Sequence, residues 1–395
     1  MSKDPIVIVA AARTPMGGLL GELKDLSAHQ LGGIAIKAVL EHAAISGDQV
    51  DEVYMGCVLP AGQGQAPARQ ASLAAGIPDS VPCTTVNKVC GSGMKTVMLA
   101  HDSLLLGNGN IIVAGGMESM TNAPHLMLKA RIGYRLGGDL VYDHMSLDGL
   151  QDAYEKGVPM GNFGERCAAK YGFTREQQDA FAIASLERAK KASLDGTFAK
   201  EIVPVTVKGK KGEVVVSLDE QPQKADPAKI PTLKPAFGAD GTITAATASS
   251  ISDGAAALLL MRLSEAEKRG LKPLAKILGH SSHAQAPGWY STAPVYAMKK
   301  LSEKTGIGFA DYDLFEINEA FAVVALAAMH DLKLPHEKVN IHGGACAMGH
   351  PIGASGARLL VTLLNALETH GGRRGMASLC IGGGEAVATA IERIS

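Results

Sequence analysis

Apolar residues in this chain gather into short runs that end in glycine-rich turns and are followed by stretches of helical spacing. Thr84, Thr85, Val86 and Val89 read as a β-branched strand. Val97, Met98, Leu99, Leu104, Leu105 and Leu106 then give a buried helix, with Gly107 as its stop. Between them stands "NKVCGSGMK" (87–95), which places Cys90 just before a Gly-Ser-Gly turn and the first turn of that helix. Unpaired N–H groups and the dipole at a helix N-terminus favour an anion, so the pattern predicts a thiol with a lowered pKa, the reactive form being the thiolate. A small apolar residue in a tight turn is the alternative for a lone cysteine.

The pattern occurs twice, at an offset of roughly 260 residues, which is long enough for a duplicated domain rather than a solenoid. "DEVYMGCV" (51–58) leads through the cysteine turn and its helix to "IIVAGGMES" (111–119). "DYDLFEINEAF" (311–321) leads through "GHPIGASG" (349–356) and a helix to "ASLCIGGGEA" (377–386). Each half reads strand, glycine-rich turn, buried helix, strand, Gly-Gly-x-Glu. This alternation predicts an α/β fold with mainly parallel sheets covered by helices. Residues 120–249 carry more charge and more loop signals, and read as an inserted subdomain. One helix is expected over 175–193, with Ala180, Phe181, Ile183, Ala184 and Leu186 on its apolar side. "SDGAAALLLM" (252–261) returns to core composition. The expected organisation is an N-terminal α/β half at 1–119 continued by 250–270, the insertion at 120–249, and a C-terminal half at 271–395.

Composition narrows the function. The 395 residues are 46% apolar with 46 glycines and 4% aromatics, suiting tight strand–helix junctions. A net charge of −1 implies no nucleic-acid partner. No apolar run approaches the roughly 18 residues of a membrane span, and no signal peptide is expected. Six cysteines without a C-x-x-C pair argue against zinc and against a disulfide framework. No metal site is therefore expected, and the setting expected is reducing and cytoplasmic.

His350, in a second glycine-rich turn, Cys380, at the end of a strand before three glycines, and Asn318, after the strand "LFEI", are the further candidates for chemistry. Ligands in parallel sheets gather beyond the carboxyl ends of strands, so Cys90, Asn318, His350 and Cys380 meet in one cleft if the halves pack with pseudo-twofold symmetry. Asn318 is equally placed as a cap for the helix of "EAFAVVALAAM".

The blocks "VCGSGMK", "NEAFA", "GHPIGASG" and "CIGGG" resemble, in order and spacing, the signature blocks of the thiolases. "VAAARTPMG", "GQGQAPARQA", "GGMESM" and "SDGAAAL" resemble the same family, so the likeness spans nearly the whole chain. The stretch "NAPHLMLKARIGYRLGGDLVYDHMSLDGLQDAY" is most similar to the acetoacetyl-CoA type. The resemblance implies the duplicated thiolase fold, in five layers (α-β-α-β-α), and a reversible condensation of two acetyl-CoA to acetoacetyl-CoA and CoA. In that reading Cys90 takes up the acyl group, His350 accepts the thiol proton and Cys380 is acid or base at the acetyl methyl. His350 with a water on Asn318 forms one oxyanion hole; the N–H groups of Cys90 and Gly382 form the other. Ser249 and Met160 match positions along the coenzyme A arm, and Arg131, Arg135, Lys208, Lys210, Lys211, Lys224 and Lys229 are candidate cations for its phosphates. No permanently bound cofactor is implied, only coenzyme A thioesters as substrates, in a homodimer or homotetramer.

Four departures touch the coenzyme and acyl pockets: Pro159 where short-chain members often have His, Gln223 for an arginine, Thr247 for an asparagine, and "WYSTA" (289–293) for a Met-Gly run. The bulky Trp289 and Tyr290 predict a shortened acyl pocket, whereas Pro159 leans toward a degradative 3-ketoacyl-CoA thiolase of broader chain length. No G-x-G-x-x-G occurs, which disfavours a dinucleotide-binding dehydrogenase. A decarboxylating ketoacyl synthase, which usually pairs its cysteine with two histidines, is disfavoured by Cys380, and a non-catalytic acyl-CoA carrier would have no use for the cysteine pair.

Overall fold

A computed structural model describes residues 4–209 and 212–394. Lys210 and Lys211 lie outside the described residues. Nine strands of the main sheet are β1 (Ile6–Arg13), β2 (Glu52–Gly56), β3 (Cys83–Val86), β4 (Ile111–Ser119), β5 (Ser252–Arg262), β6 (Ala275–Ala284), β7 (Leu314–Ile317), β8 (Arg374–Ile381) and β9 (Glu385–Arg393). The longer helices are α1 (Ala28–Ala43), α2 (Pro67–Ala74), α3 (Ser92–Leu105), α4 (Met160–Tyr171), α5 (Arg175–Leu194), α6 (Ala293–Thr305), α7 (Ala322–Leu332) and α8 (Ser355–Thr369).

The strand order is β7-β8-β9-β6-β1-β5-β4-β2-β3, with the two-residue strand Gly17–Gly18 beside β5. The two halves repeat one topology. Parallel pairs β2–β4 and β7–β8 correspond, as do antiparallel pairs β4–β5 and β8–β9, and antiparallel pairs β5–β1 and β9–β6. Among the described residues, only Val7↔Lys276 and Ile8↔Ala275 join the halves in register. Parallel pairing is thus confined to the outer strands of each half, and the sheet is mixed. In each half the strand after the Gly-Gly-x-Glu segment returns antiparallel, β5 after the insertion and β9 directly, rather than through a crossover helix.

Alternate residues along each central strand feed different cores, because successive side chains point to opposite faces. Val7, Ile111, Val113 and Leu259 pack with α1 and α2, while Ile6, Ile8, Ile112, Ala114 and Leu258 pack with α3 and α8. In the C-terminal half Ala377, Leu379 and Val387 join that same middle core, and Met376, Ala386 and Ala388 face α6 and α7. Five layers result, with α3 and α8 sandwiched between the two half-sheets. This burial on both sides explains why the strands read as continuous apolar runs.

The insertion leans on both halves. Val205, Val207 and Val216, from the hairpin Val205–Gly209 with Gly212–Val216, pack into the outer N-terminal core, while Phe181 of α5 joins the outer C-terminal core. Helix α5 covers the expected 175–193 but presents a different face: Gln178, Phe181, Ala182, Ser185, Leu186 and Ala189 are buried, and Ala180 is exposed. The buried stripe includes polar Gln178 and Ser185, which an apolar-only reading passes over. No helix among the described residues is long and apolar enough to cross a membrane.

Candidate active site

The turn between β3 and α3 is held in a strained shape. Val89 has φ of 45°, a left-handed conformation that a β-branched residue adopts only under constraint, at a cost of about 1–3 kcal/mol. Ser92 supplies the constraint: its Oγ donates to Val89 O (2.6 Å) and accepts from Lys88 N (2.8 Å). The Lys88 ammonium also pairs with the Glu385 carboxylate on the other half. These contacts fix Cys90 one residue before Gly91, the N-cap of α3.

Close helix approach brings the histidine turn to the same place. A Cβ on Gly93 would lie 2.9 Å from both Gly353 O and Ala357 N, so α3 and the start of α8 touch backbone to backbone. His350 follows the short helix Ala345–Met348 and Gly349, whose φ of 104° suits only glycine. It is therefore not at a strand end, as the parallel-sheet argument expects. Asn318 does follow β7, with its N–H on Ser378 O at 3.0 Å. It is no helix cap, since α7 begins at Ala322 with Phe321 as its N-cap.

Cys90, His350, Cys380, Gly382, Ser249 and Met160 line one cavity of about 360 Å³, together with Pro159, Tyr290, Phe237 and Phe321. Buried Asn318 stands just behind, its Nδ2 donating to His350 Nε2 at 3.4 Å, while its Oδ1 has no hydrogen-bond partner among the described residues. His350 Nδ1 lies 2.5 Å from Ser355 Oγ, and that hydroxyl donates to Pro351 O at 2.9 Å. Since the hydroxyl proton is engaged, Nδ1 carries the imidazole proton and Nε2 keeps its lone pair, toward which Asn318 Nδ2 points at 3.4 Å.

Burial dominates the electrostatics. It pushes the Cys90 thiol up to about 11, against opposing hydrogen bonds from the backbone N–H groups of Gly382 and Cys90. The lowered thiol expected from the helix N-terminus is thus overturned: two N–H donors do not offset removal from water. Burial, with the Arg358 charge, holds His350 down at about 3. Burial raises Cys380 well above the ordinary thiol value, the nearby Cys90 adding to it. The resting site is a neutral thiol, a neutral imidazole and a second neutral thiol.

Glu118 was legible only as part of the Gly-Gly-x-Glu repeat, yet it ties the site together. It accepts from Val58 N (2.9 Å), Leu59 N (3.1 Å) and Gly353 N (2.9 Å), and burial pushes it up to about 7. The signal available was a carboxylate inside an otherwise apolar strand. Ser355 lies within "GHPIGASG", and only its hydrogen bond to His350 reveals what it does.

The coenzyme candidates separate. Ser249 is stitched to Ala320 O through both N and Oγ, each at 3.0 Å, and faces the cavity. Lys224 and Lys229 instead line a neighbouring groove of about 300 Å³, which Ser250 also borders. Lys224 is paired with Glu220. Lys208, Arg131 and Arg135 are exposed and line neither space. Of the aromatic pair, only Tyr290 lines the cavity, its hydroxyl donating to Met160 O at 3.0 Å. Trp289 packs outside it, its ring 4.4 Å from Lys170 Nζ.

Comparison with known proteins matches residues 6–264 to the family model for the thiolase N-terminal domain and residues 271–393 to that for the thiolase C-terminal domain. The chain is a thiolase. It is 51% identical to acetyl-CoA acetyltransferase 1 of Arabidopsis thaliana, over 99% of this chain and 94% of that protein. It is 46% identical to acetyl-CoA acetyltransferases of Schizosaccharomyces pombe, over 100% of both chains, and of Allochromatium vinosum, over 99% of this chain and 100% of that protein. This thiolase therefore carries an acyltransferase framework along its whole length.

Proposed function

We propose that this thiolase catalyses the reversible condensation of two acetyl-CoA to acetoacetyl-CoA and CoA, through an acyl group on Cys90. The observation that carries the reading is the single cavity shared by Cys90, His350, Cys380 and Gly382. His350 Nε2 takes the Cys90 proton as sulfur attacks the thioester carbonyl, since neither group is ionised beforehand. The N–H groups of Cys90 and Gly382, which already reach the thiol, receive the oxyanion; each such donor is worth about 3–4 kcal/mol. Once protonated, His350 becomes a donor to the enolate oxygen of the second acetyl-CoA, beside a water on Asn318. The CoA sulfur leaves and takes the Cys380 proton; the Cys380 thiolate so formed removes a proton from the acetyl methyl, and the carbanion attacks the acyl carbon on Cys90. Cys90 is released as its sulfur takes the proton back from His350, which regenerates the neutral thiol and imidazole. Cleavage runs the same steps backwards.

Coenzyme A enters past Met160 and Ser249, and its adenosine end extends along Ser250 into the groove of Lys229. Lys229 is exposed and free to meet a phosphate, whereas Lys224 is already paired with Glu220. No resident cofactor is needed. The exposed Met127, Leu128, Ile132, Leu136, Leu140 and Val141 support assembly into a homodimer or homotetramer, which sedimentation velocity tests. Six free cysteines fit a cytoplasmic setting.

The decisive experiment separates the two half-reactions. Cys380→Ser is expected to keep acylation of Cys90 by labelled acetyl-CoA but to lose exchange of acetyl methyl protons with deuterated solvent, a serine hydroxyl being far too weak an acid. Undiminished exchange, or label on Cys380 in the wild type, would overturn the assignment.

A further inference from the structure

At the end of α3 remote from Cys90, two helix residues meet a strand of the other half. His101 Nδ1 and His280 Nε2, the latter on β6, lie 3.2 Å and 2.9 Å from the same atom, Asp102 Oδ1. The rings stand edge to face with centroids 5.1 Å apart, and the three donor atoms all lie within 4.8 Å of one another. The imidazoles are nearly buried, at 12% and 11% side-chain exposure, while Asp102 is 50% exposed. No sequence spacing announces this triad, because its members are adjacent residues and a third on a distant strand.

We infer that His101, Asp102 and His280 form a binding site for a borderline divalent cation of the Zn²⁺ class, which staples the C-terminal end of α3 to β6. Two imidazoles and a carboxylate are three of the four tetrahedral ligands zinc takes, and the exposed side at Asp102 leaves the fourth to water. Burial lowers both histidines, which favours the neutral form that ligates a metal. Asp102, burial notwithstanding, is held below the usual carboxylate value by the hydrogen bonds from His280 and His101. Binding needs no net proton release; each imidazole proton moves to the ring nitrogen turned away from the metal. Lys304, whose Nζ donates to His280 O at 3.2 Å, places a positive charge nearby. That charge works against cations held by electrostatics alone. The site therefore selects for nitrogen affinity, favouring Zn²⁺ or Co²⁺ over Mg²⁺ or Ca²⁺.

The test uses the chelator-treated full chain titrated with Co²⁺, read by visible d–d absorption, with Zn²⁺ and Mg²⁺ as competitors. A saturable one-to-one band is expected, displaced by Zn²⁺ but not by Mg²⁺, with a rise in melting temperature on Zn²⁺ addition. His280→Ala is expected to abolish the band, and Asp102→Asn, which keeps the side-chain shape, to weaken binding by about tenfold or more. Metal bound by the catalytic cysteines is common to all three proteins and subtracts out. Acetoacetyl-CoA turnover is expected to be unchanged in both variants, confirming that they fold. A wild-type titration indistinguishable from that of Asp102→Asn, or no band at all, would refute the site.

Discussion

Cys90 shows how far an environment moves a residue from what its neighbours in sequence predict. A helix N-terminus contributes donors within its first turn only, while burial acts from every side. With Cys90 at about 11 and His350 at about 3, the thiolate is scarce at neutral pH and no charged pair forms at rest. Alkylation by iodoacetamide follows the thiolate fraction, so the rate at Cys90 is expected to lie below that of free cysteine at pH 8 and to keep climbing through pH 10. Peptide mapping after a timed quench measures it. A plateau reached by pH 8 would show a thiol lowered after all. The thioester reaction escapes this limit because His350 receives the proton during attack.

At the scale of elements, the site depends on how closely α3 and α8 cross. Gly93 packs against Gly353 and Ala357 backbone atoms that no side-chain motion can relieve. Gly93→Ala is expected to cost about 1–3 kcal/mol of stability through overpacking, read as a lowered urea midpoint. It should also cut turnover well beyond what that loss of folded protein explains, because the added methyl parts the Cys90 turn from the His350 turn. A variant with normal turnover would show that the approach is only structural. The Lys88–Glu385 pair ties the Cys90 turn to the start of β9, and Glu118 ties the Val58–Leu59 backbone to Gly353 beside the His350 turn, so neighbouring contacts brace the same region.

For the whole molecule, acyl-chain length is expected to be decided where the insertion meets the C-terminal half. Tyr290, buried and anchored to Met160 O, closes the cavity beside Cys380, and Phe237 and Phe321 narrow it. One methylene contact is worth only about 0.8 kcal/mol, so exclusion of longer acyl chains has to come from a clash. Thiolysis is expected to show higher kcat/KM for acetoacetyl-CoA than for eight- or ten-carbon 3-ketoacyl-CoA. Tyr290→Ala should narrow or reverse that ratio. Equal wild-type activity on the longer chains would instead support the broad-range degradative reading that Pro159 suggests.

The sequence by itself determined the duplicated α/β plan, because apolar runs of strand length and helical spacing are local properties, and so were the three glycine-rich blocks and the "NEAFA" block that carry the chemistry. It also determined which residues are chemically able. Tertiary structure decided their state and company. The antiparallel return of β5 and β9 depends on pairing between distant strands, and the buried face of α5 on what packs against it. The Cys90 and His350 shifts follow from the low water content of the cleft that tertiary packing builds around them, which no neighbour in sequence reports. Trp289 and Tyr290, adjacent in the chain, part company only because one ring turns into the cavity and the other packs outside it. His101, Asp102 and His280 become a cluster solely through the packing of α3 on β6, since a side chain's electrostatic partners are set by distance in space.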